Sequence, residues 1–367
     1  MKSLALPASA PAPSRVDRRR RLALAGLGAL TAAGLGALSV RVVSRDGTTA
    51  APAGEAVVSH QLGWLKGVQF GGNLMALHQG YFAEEGLAVS FASGGPGTDY
   101  RTLVSSGQSL ISESNVPGMI DGYLQDQPVV AFAAVLQREP GCLISAAARP
   151  LNSLHDMAGK TIGVPGSIRG QIVALLRRAG LDPEAVKLVP VGSDPSLLAA
   201  GQVDAYYSWA TTAVPALRGA GFEPHVLPFA DIGIQGYGQA LITRRDTLEQ
   251  HHGLLVRYTR ALIRGWDWMV RNPEETARIM VAEYAPPGTR LEEQIAQARM
   301  MLPYITAGDA AERGMLWISP EVFEAGVALA QEAGTLGAET EVDVSRLVDQ
   351  SVIRAAHGGH PIRAAAG

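Results

Sequence analysis

The chain has 367 residues, 47% of them hydrophobic and 18% charged, with a formal net charge of −3. This balance gives no reason to expect disorder and no electrostatic footprint for nucleic acid, and the length suits two lobes of ordinary size. The one cysteine, Cys142, excludes an intramolecular disulfide and a multi-thiolate metal site, and in the apolar run CLISAAA it reads as a small buried residue.

Positive charge concentrates in Arg18 to Arg21, directly before the Ala- and Gly-rich apolar stretch Leu22 to Val40. That layout is an export signal, and the arginine pair followed by Leu22 resembles a twin-arginine signal. A single membrane anchor is the alternative reading. A small-residue cleavage site is available at Ala51-Pro52-Ala53, and no lipobox cysteine follows, so the expected mature chain is periplasmic.

From Val57 onward, short apolar runs alternate with capped helices. VVSHQLGW reads as a strand, and GGNLMALHQGYFAEEGL as a short helix closed near Gly80 with a further turn closed at Gly86. AVSFASGG is the next strand, and Thr98 is placed to cap the helix DYRTLVSS. SLISESN leads into a helix opened by Asn115 with Pro117 near its start, and PVVAFAAVLQ ends the first series. A second series runs through TIGV, a helix capped by Ser167 and stopped at Gly180, VKLVPVG, a short helix after Pro195, and VDAYYSW. Such alternation predicts parallel sheets covered by helices and built from right-handed crossovers, in two lobes. The last third is helical. HHGLLVRYTRALIRGWDWMVRN is a long amphipathic helix stopped at Asn272-Pro273, and three further helices follow that need a partner for their apolar faces.

Open parallel sheets bind ligands beyond the carboxyl ends of their strands. That rule singles out Trp64, Gly94, Gly95 and Asn115 in the first series, and Ser167 and Trp209 in the second. Alternation along Val203 to Trp209 sends Tyr207 and Trp209 to one face and Tyr206 to the other; Tyr207 reads as core and Trp209 as a cleft residue. Arg169, in the first turn of its helix, is either an anion partner or a solvated surface residue.

The segments LGWLKGVQFGGNLMALHQGYFAEEGLAVSFASGGPG, VVAFAAVLQREPGCLIS, LHDMAGKTIGVPG and ALIRGWDWMVRNPEETA resemble the solute-binding proteins of bacterial ABC importers. The nearest branch binds aliphatic sulfonates, taurine, nitrate and thiamine-pyrimidine precursors. The resemblance implies an α/β, type II periplasmic-binding-protein fold, with two lobes hinged around an interlobe cleft. It implies an export signal and linker in residues 1–53, one lobe from 54–141 with 236–350, a second from 142–235, and a flexible tail over 351–367. Chain crossings are expected near Gln137 to Gly141 and Gly236 to Gln239. Cleft residues carried over are Trp64, Gly94, Gly95, Asn115, Gln137, Ser167, Trp209 and Tyr237.

The implied function is delivery of a small molecule, such as an N-heterocycle of the pyrimidine-precursor kind, to permease and ATPase subunits at the inner membrane. The implied protein is monomeric and has no cofactor. An anionic solute held near Arg169 is the alternative. Pyrimidine binders of this kind carry an acidic residue just after the aromatic strand end, which WATTAVP lacks; Glu113 either supplies that charge from the other lobe or faces solvent. A pyrimidine-synthase-like enzyme of the same fold would need a cysteine-rich motif that this chain does not carry. Nor does the chain contain HExxH, GxSxG or GxxxxGK patterns. His251 and His252 read as solvated, and His357 and His360 as a poor metal pair.

Overall fold

A computed structural model describes residues 55–358, apart from residues 96, 193, 235 and 333. The arginine-led export signal, the small-residue site at 51–53 and His360 lie outside the described residues. Among the described residues, no helix is long and apolar enough to cross a membrane.

Among the described residues ten strands form in chain order: β1 (Ala56–Gln61), β2 (Leu87–Ala92), β3 (Ser112–Ser114), β4 (Val129–Leu136), β5 (Gly141–Ala146), β6 (Thr161–Val164), β7 (Lys187–Pro190), β8 (Ala205–Trp209), β9 (Pro224–Pro228) and β10 (Gln239–Arg244). The first group pairs as β1-β2 and β3-β10-β4, with a single bridge from His60 to Ile111 linking the two. The second group is a five-stranded sheet in the order β7-β6-β8-β5-β9. Between β4 and β5 the chain leaves the first group, and between β9 and β10 it returns.

The expectation of purely parallel sheets is corrected at these two points. β10 runs antiparallel to β3 and β4, and β5 runs antiparallel to β8 and β9. Each is the first strand laid down after a crossing, so it enters from the end where its neighbours leave. The βα-connected pairs β1-β2, β6-β7 and β6-β8 remain parallel, as right-handed crossovers require.

Local signals explain most helix ends. Asn115, in extended backbone, accepts the Gly118 N–H at 2.9 Å and opens the helix Val116–Leu124, with Pro117 in its first turn. Two expected caps move. Asp99 rather than Thr98 caps Tyr100–Ser105, because its carboxylate takes both the N–H and the hydroxyl of Thr102. The helix Gly166–Arg178 begins after Pro165, which places Ser167 inside the first turn instead of before it. The tail expected from residue 351 is also corrected. Ser351–Ala356 is a helix whose Val352, Ile353 and Ala356 are buried, and the buried His357 ring bonds the Met315 carbonyl at 3.0 Å.

The strands and helices of the first group share one large apolar core, in which β4 is buried along its whole length. The second sheet carries a core on each face, one around Ile172, Leu176 and Tyr207, the other around Cys142, Val214 and Tyr206. The long helix His252–Arg271 buries one face in the first core, and at Gly265 its backbone closes directly on the helix Gly71–His78. A Cβ on Gly265 would lie 2.2 Å from the Gly72 carbonyl and 2.6 Å from the Ala76 Cβ. Trp266 stacks beside that contact, and its indole N–H donates to Asn73 at 2.9 Å.

Gly265→Ala is therefore expected to lower stability by about 1–3 kcal/mol through overpacking, despite the better helix propensity of alanine. Urea unfolding checks this as a lower midpoint at an unchanged m-value.

Candidate functional site

The carboxyl ends of β1, β3, β6 and β8 converge; β1 leads into a loop, and β3, β6 and β8 lead into helix starts. After β1, the loop holding Trp64 is fastened to the loop after β2: Leu62 donates to Ala92 O at 2.9 Å, and Gly94 donates to Trp64 O at 2.9 Å. Only glycine fits at position 94, because a Cβ there would lie 2.4 Å from the Leu62 carbonyl. Gly63, in the same turn, donates its N–H at 2.6 Å to Glu113 on β3.

Glu113 is buried, with one carboxylate oxygen on Gly63 and the other 2.9 Å from His60 Nε2. The opposite nitrogen of His60 lies 2.5 Å from the Tyr258 hydroxyl. A buried charge is costly unless paired and hydrogen-bonded, and this row of side chains supplies the pairing. Burial, with the Glu113 charge second, raises the Tyr258 hydroxyl well above its usual range, so it stays protonated and can donate.

On the second sheet, β8 delivers Tyr206, Tyr207 and Trp209, and the helix Ala210–Gly219 starts immediately after Trp209. Tyr206 is tied by its hydroxyl to the Gly192 carbonyl at 2.5 Å, and burial followed by the Asp194 charge pushes that hydroxyl up to about 12. Tyr207 packs at 5.1 Å against Phe229. Trp209 is half-buried and packs against the core of the first group, although its strand belongs to the second sheet.

These ends enclose a cavity of about 540 Å³. From the first group come Trp64, Phe70, Tyr100, Glu113 and Asn115; from the second come Tyr206, Tyr207, Trp209 and Thr212; Gly238 and Gln239 line it where the chain crosses. Among the described residues lining it there is no lysine, arginine or histidine. Gln239 is 2% exposed, and neither atom of its amide has a partner.

The structure brings Trp64, Asn115 and Trp209 together on this cavity. The other expected site residues lie elsewhere. Gly94 supports the Trp64 loop from behind, and Gly95 lies beside Leu65 and accepts from Thr98. The Gln137 amide is spent inside the first group, donating to Ala134 O and Trp317 O and accepting from Ala310 N. Tyr237 is buried against Phe323; its hydroxyl donates to Asp309 and accepts from Ser319 N. Arg169 is exposed, donates to Leu188 O at 3.0 Å and is not among the residues lining this cavity. The Ser167 side chain is outside the described set.

The residues that strand-end reasoning passed over include Phe70, Tyr100, Tyr206, Gln239 and, as a wall residue, Tyr207. Alternation put Tyr206 and Tyr207 on opposite faces of β8, and they do serve opposite cores. Both reach the cavity because it lies at the sheet's end, where either face is accessible. The signal for Gln239 was its position at the second crossing.

A second cavity, of about 630 Å³, adjoins the first and contains Glu139 from the first crossing. Glu139 is half-buried by area, with its carboxylate turned in beside Tyr207 and Cys142, whose hydroxyl and thiol both feel its charge. Among the described residues, its one hydrogen bond is from Gly141 N–H at 2.9 Å. Burial, offset in part by that N–H, pushes its carboxyl up from 4.5 to about 7. The same burial raises the Cys142 thiol, which removes its nucleophilic form at neutral pH. Among the described residues no group of three or more His, Cys, Asp or Glu is placed to hold a metal.

The fold class follows from solved structures. Over 80% of this chain and 92% of its own, the periplasmic aliphatic sulphonate-binding protein of Escherichia coli superimposes with a TM-score of 0.58 at 15% identity, so the chain has the periplasmic-binding-protein fold. The family follows from sequence: the NMT1/THI5-like family model matches residues 68–276, and the chain belongs to that family. It is 27% identical over 233 residues to a formylaminopyrimidine-binding protein of Halalkalibacterium halodurans, covering 62% of this chain and 71% of that one. It is 26% identical over 322 residues to a riboflavin-binding protein of Chloroflexus aurantiacus, covering 80% and 87%.

The Glu139 carboxyl yields a sign-definite pH effect. Between pH 4.5 and about 7 the folded chain holds a proton that the unfolded chain has lost, so this group makes stability fall as pH rises through that window, with the full penalty above it. Glu139→Gln removes the slope. Urea midpoints of both proteins at either end of the window are expected to show the variant gaining on the parent as pH increases.

Proposed function

We propose that the protein is the extracytoplasmic solute-binding component of an ABC importer, and that it captures a neutral N-heterocycle between two lobes. The lobes are residues 54–141 with 236–350, and 142–235, hinged at the two crossings. Residues 1–53 direct export. The partners are the solute and the permease and ATPase subunits that receive it, with the binding protein acting as a monomer. In this reading Trp64 and Trp209 face the ring from opposite lobes, and ligand contacts made only in the closed form shift the open-closed balance.

The observation that carries the reading is the make-up of the cavity: six aromatic side chains, a buried carboxylate at Glu113, and no cationic residue among those described. Stacking and apolar burial suit a flat ring, and Glu113 can accept from a ring or exocyclic N–H group. An anion meets no cationic side chain there, since Arg169 is not among the lining residues and the buried Glu113 carboxylate is. The names of the two relatives, one a pyrimidine binder and one a flavin binder, agree with a heterocycle.

Titration of the full chain with formylaminopyrimidine, riboflavin, taurine, an alkanesulfonate and nitrate, read by thermal shift, is expected to show stabilisation by heterocycles and none by the anions. Stabilisation by an anion alone would reject this reading. Trp209→Ala is expected to weaken heterocycle binding about tenfold, the equivalent of roughly 1.4 kcal/mol of lost stacking and burial. Calorimetry measures the affinity, and circular dichroism checks that the variant is folded.

A further inference from the structure

Six buried side-chain polar atoms lack a hydrogen-bond partner among the described residues. Four of them, on Asn73, Gln127, Trp317 and Ser319, lie away from the aromatic cavity. The other two are the oxygen and nitrogen of a single amide, that of Gln239, which is 2% exposed and lines the cavity. The polar side chains beside it on the same wall are engaged. Glu113 accepts from Gly63 N–H and pairs with His60, Ser114 donates to Asn115 O at 3.4 Å, and Asn115 Oδ1 caps the Gly118 N–H. Gln239 stands with them because β10 runs antiparallel to β3, with Ala240 opposite Ser114 and Leu241 opposite Glu113. On its other side the register against β4 shifts between Gln239 and Ala240, an irregularity of the kind that re-aims a side chain next to a site.

A buried amide left unpaired is costly, and no described element of the fold offsets that cost at Gln239. We infer that Gln239 is the specificity-determining residue of the cavity: its amide turns to the solute and pairs with a donor and an acceptor that stand side by side on the ring. The inference rests on the heterocycle reading and adds the group that selects among heterocycles. No hydrogen bond to a described residue holds the amide back, so rotation about its side-chain bonds brings it to the solute. An amide carries a donor and an acceptor side by side, so it meets the edge of a lactam or an amidine with two hydrogen bonds at once. A ring of the same outline that lacks the N–H leaves half of the amide unpaired, and groups left unpaired in this way are what make a site reject a close analogue. Stacking on Trp64 and Trp209 carries no such preference, because any flat ring offers it a face.

Two pairs of probes test this, each pair alike in outline with one member lacking the edge N–H. They are riboflavin with 3-methylriboflavin, and formylaminopyrimidine with an analogue whose ring amino group is replaced by methoxy. Each is titrated calorimetrically into the full chain. In every pair that binds, the member with the N–H is expected to bind the parent at least tenfold more tightly. Gln239→Met is expected to weaken that member at least tenfold and to bring the two within about twofold of each other. Without ligand, Gln239→Met is expected to unfold in urea at a midpoint no lower than the parent's, because methionine is close to glutamine in size and strands no polar amide.

Equal binding of both members by the parent, or a preference that survives in Gln239→Met, overturns the inference and leaves the heterocycle reading standing. A lowered midpoint or a failure to fold in Gln239→Met also overturns it, since the amide would then be paired within the fold. Binding of none of the four probes rejects the inference and the heterocycle reading together.

Discussion

Two backbone segments pass side by side between the sheets, and their contact governs everything that faces the cleft. Gly238 donates to Leu136 O at 3.0 Å, and a Cβ on it would lie 2.4 Å from the Pro140 ring and 2.9 Å from the Arg138 carbonyl. No other residue type permits that approach, since any side chain would push the crossings apart. Pro140 in turn accepts the Ala210 N–H at 2.9 Å, which ties the crossing to the start of the helix behind Trp209. The placement of the aromatic strand end on one sheet relative to the other sheet is thus tied to the crossings, where Pro140 holds the residue next to Trp209.

The cleft shows two solutions to a buried carboxylate. Glu113 is met by a histidine and a backbone N–H, with Tyr258 behind the histidine, so its charge is held at the cavity wall by groups rooted in the first core. Glu139 receives one backbone N–H, and burial drives its carboxyl toward the neutral form. The first arrangement suits a fixed acceptor for a ligand N–H. The second leaves a carboxyl whose charge changes with pH near neutrality.

Some of the site could be read from residue order. Trp64, Asn115 and Trp209 stand at or just past the ends of strand-like runs and precede turn or cap signals, and the strand-end rule places such residues on the cavity. Gln137 and Tyr237 sit in the crossing segments as well, but crossing residues have two directions open to them. Both turned inward because helical segments from the last third of the chain supply their partners: Ala310 N for Gln137, and Asp309 and Ser319 for Tyr237. No local pattern records a partner that is 72 to 173 residues away. Arg169 was undecided from sequence for a related reason, since a helix's first turn can face either the cleft or the outer surface.

The sequence by itself determined the alternation of strands and helices, the Asn115 cap and the amphipathic last third, because each is written in the spacing of apolar, glycine and capping residues over a few turns of chain; the two places where the chain changes sheets came from the family resemblance. Tertiary structure alone decided the antiparallel entry of β5 and β10, the docking of residues 351–356, the reach of Tyr206 and Tyr207 to one cavity, and the absence of a described cation from it. These depend on which elements meet across long separations, and that choice is made by total burial and backbone fit over the whole molecule.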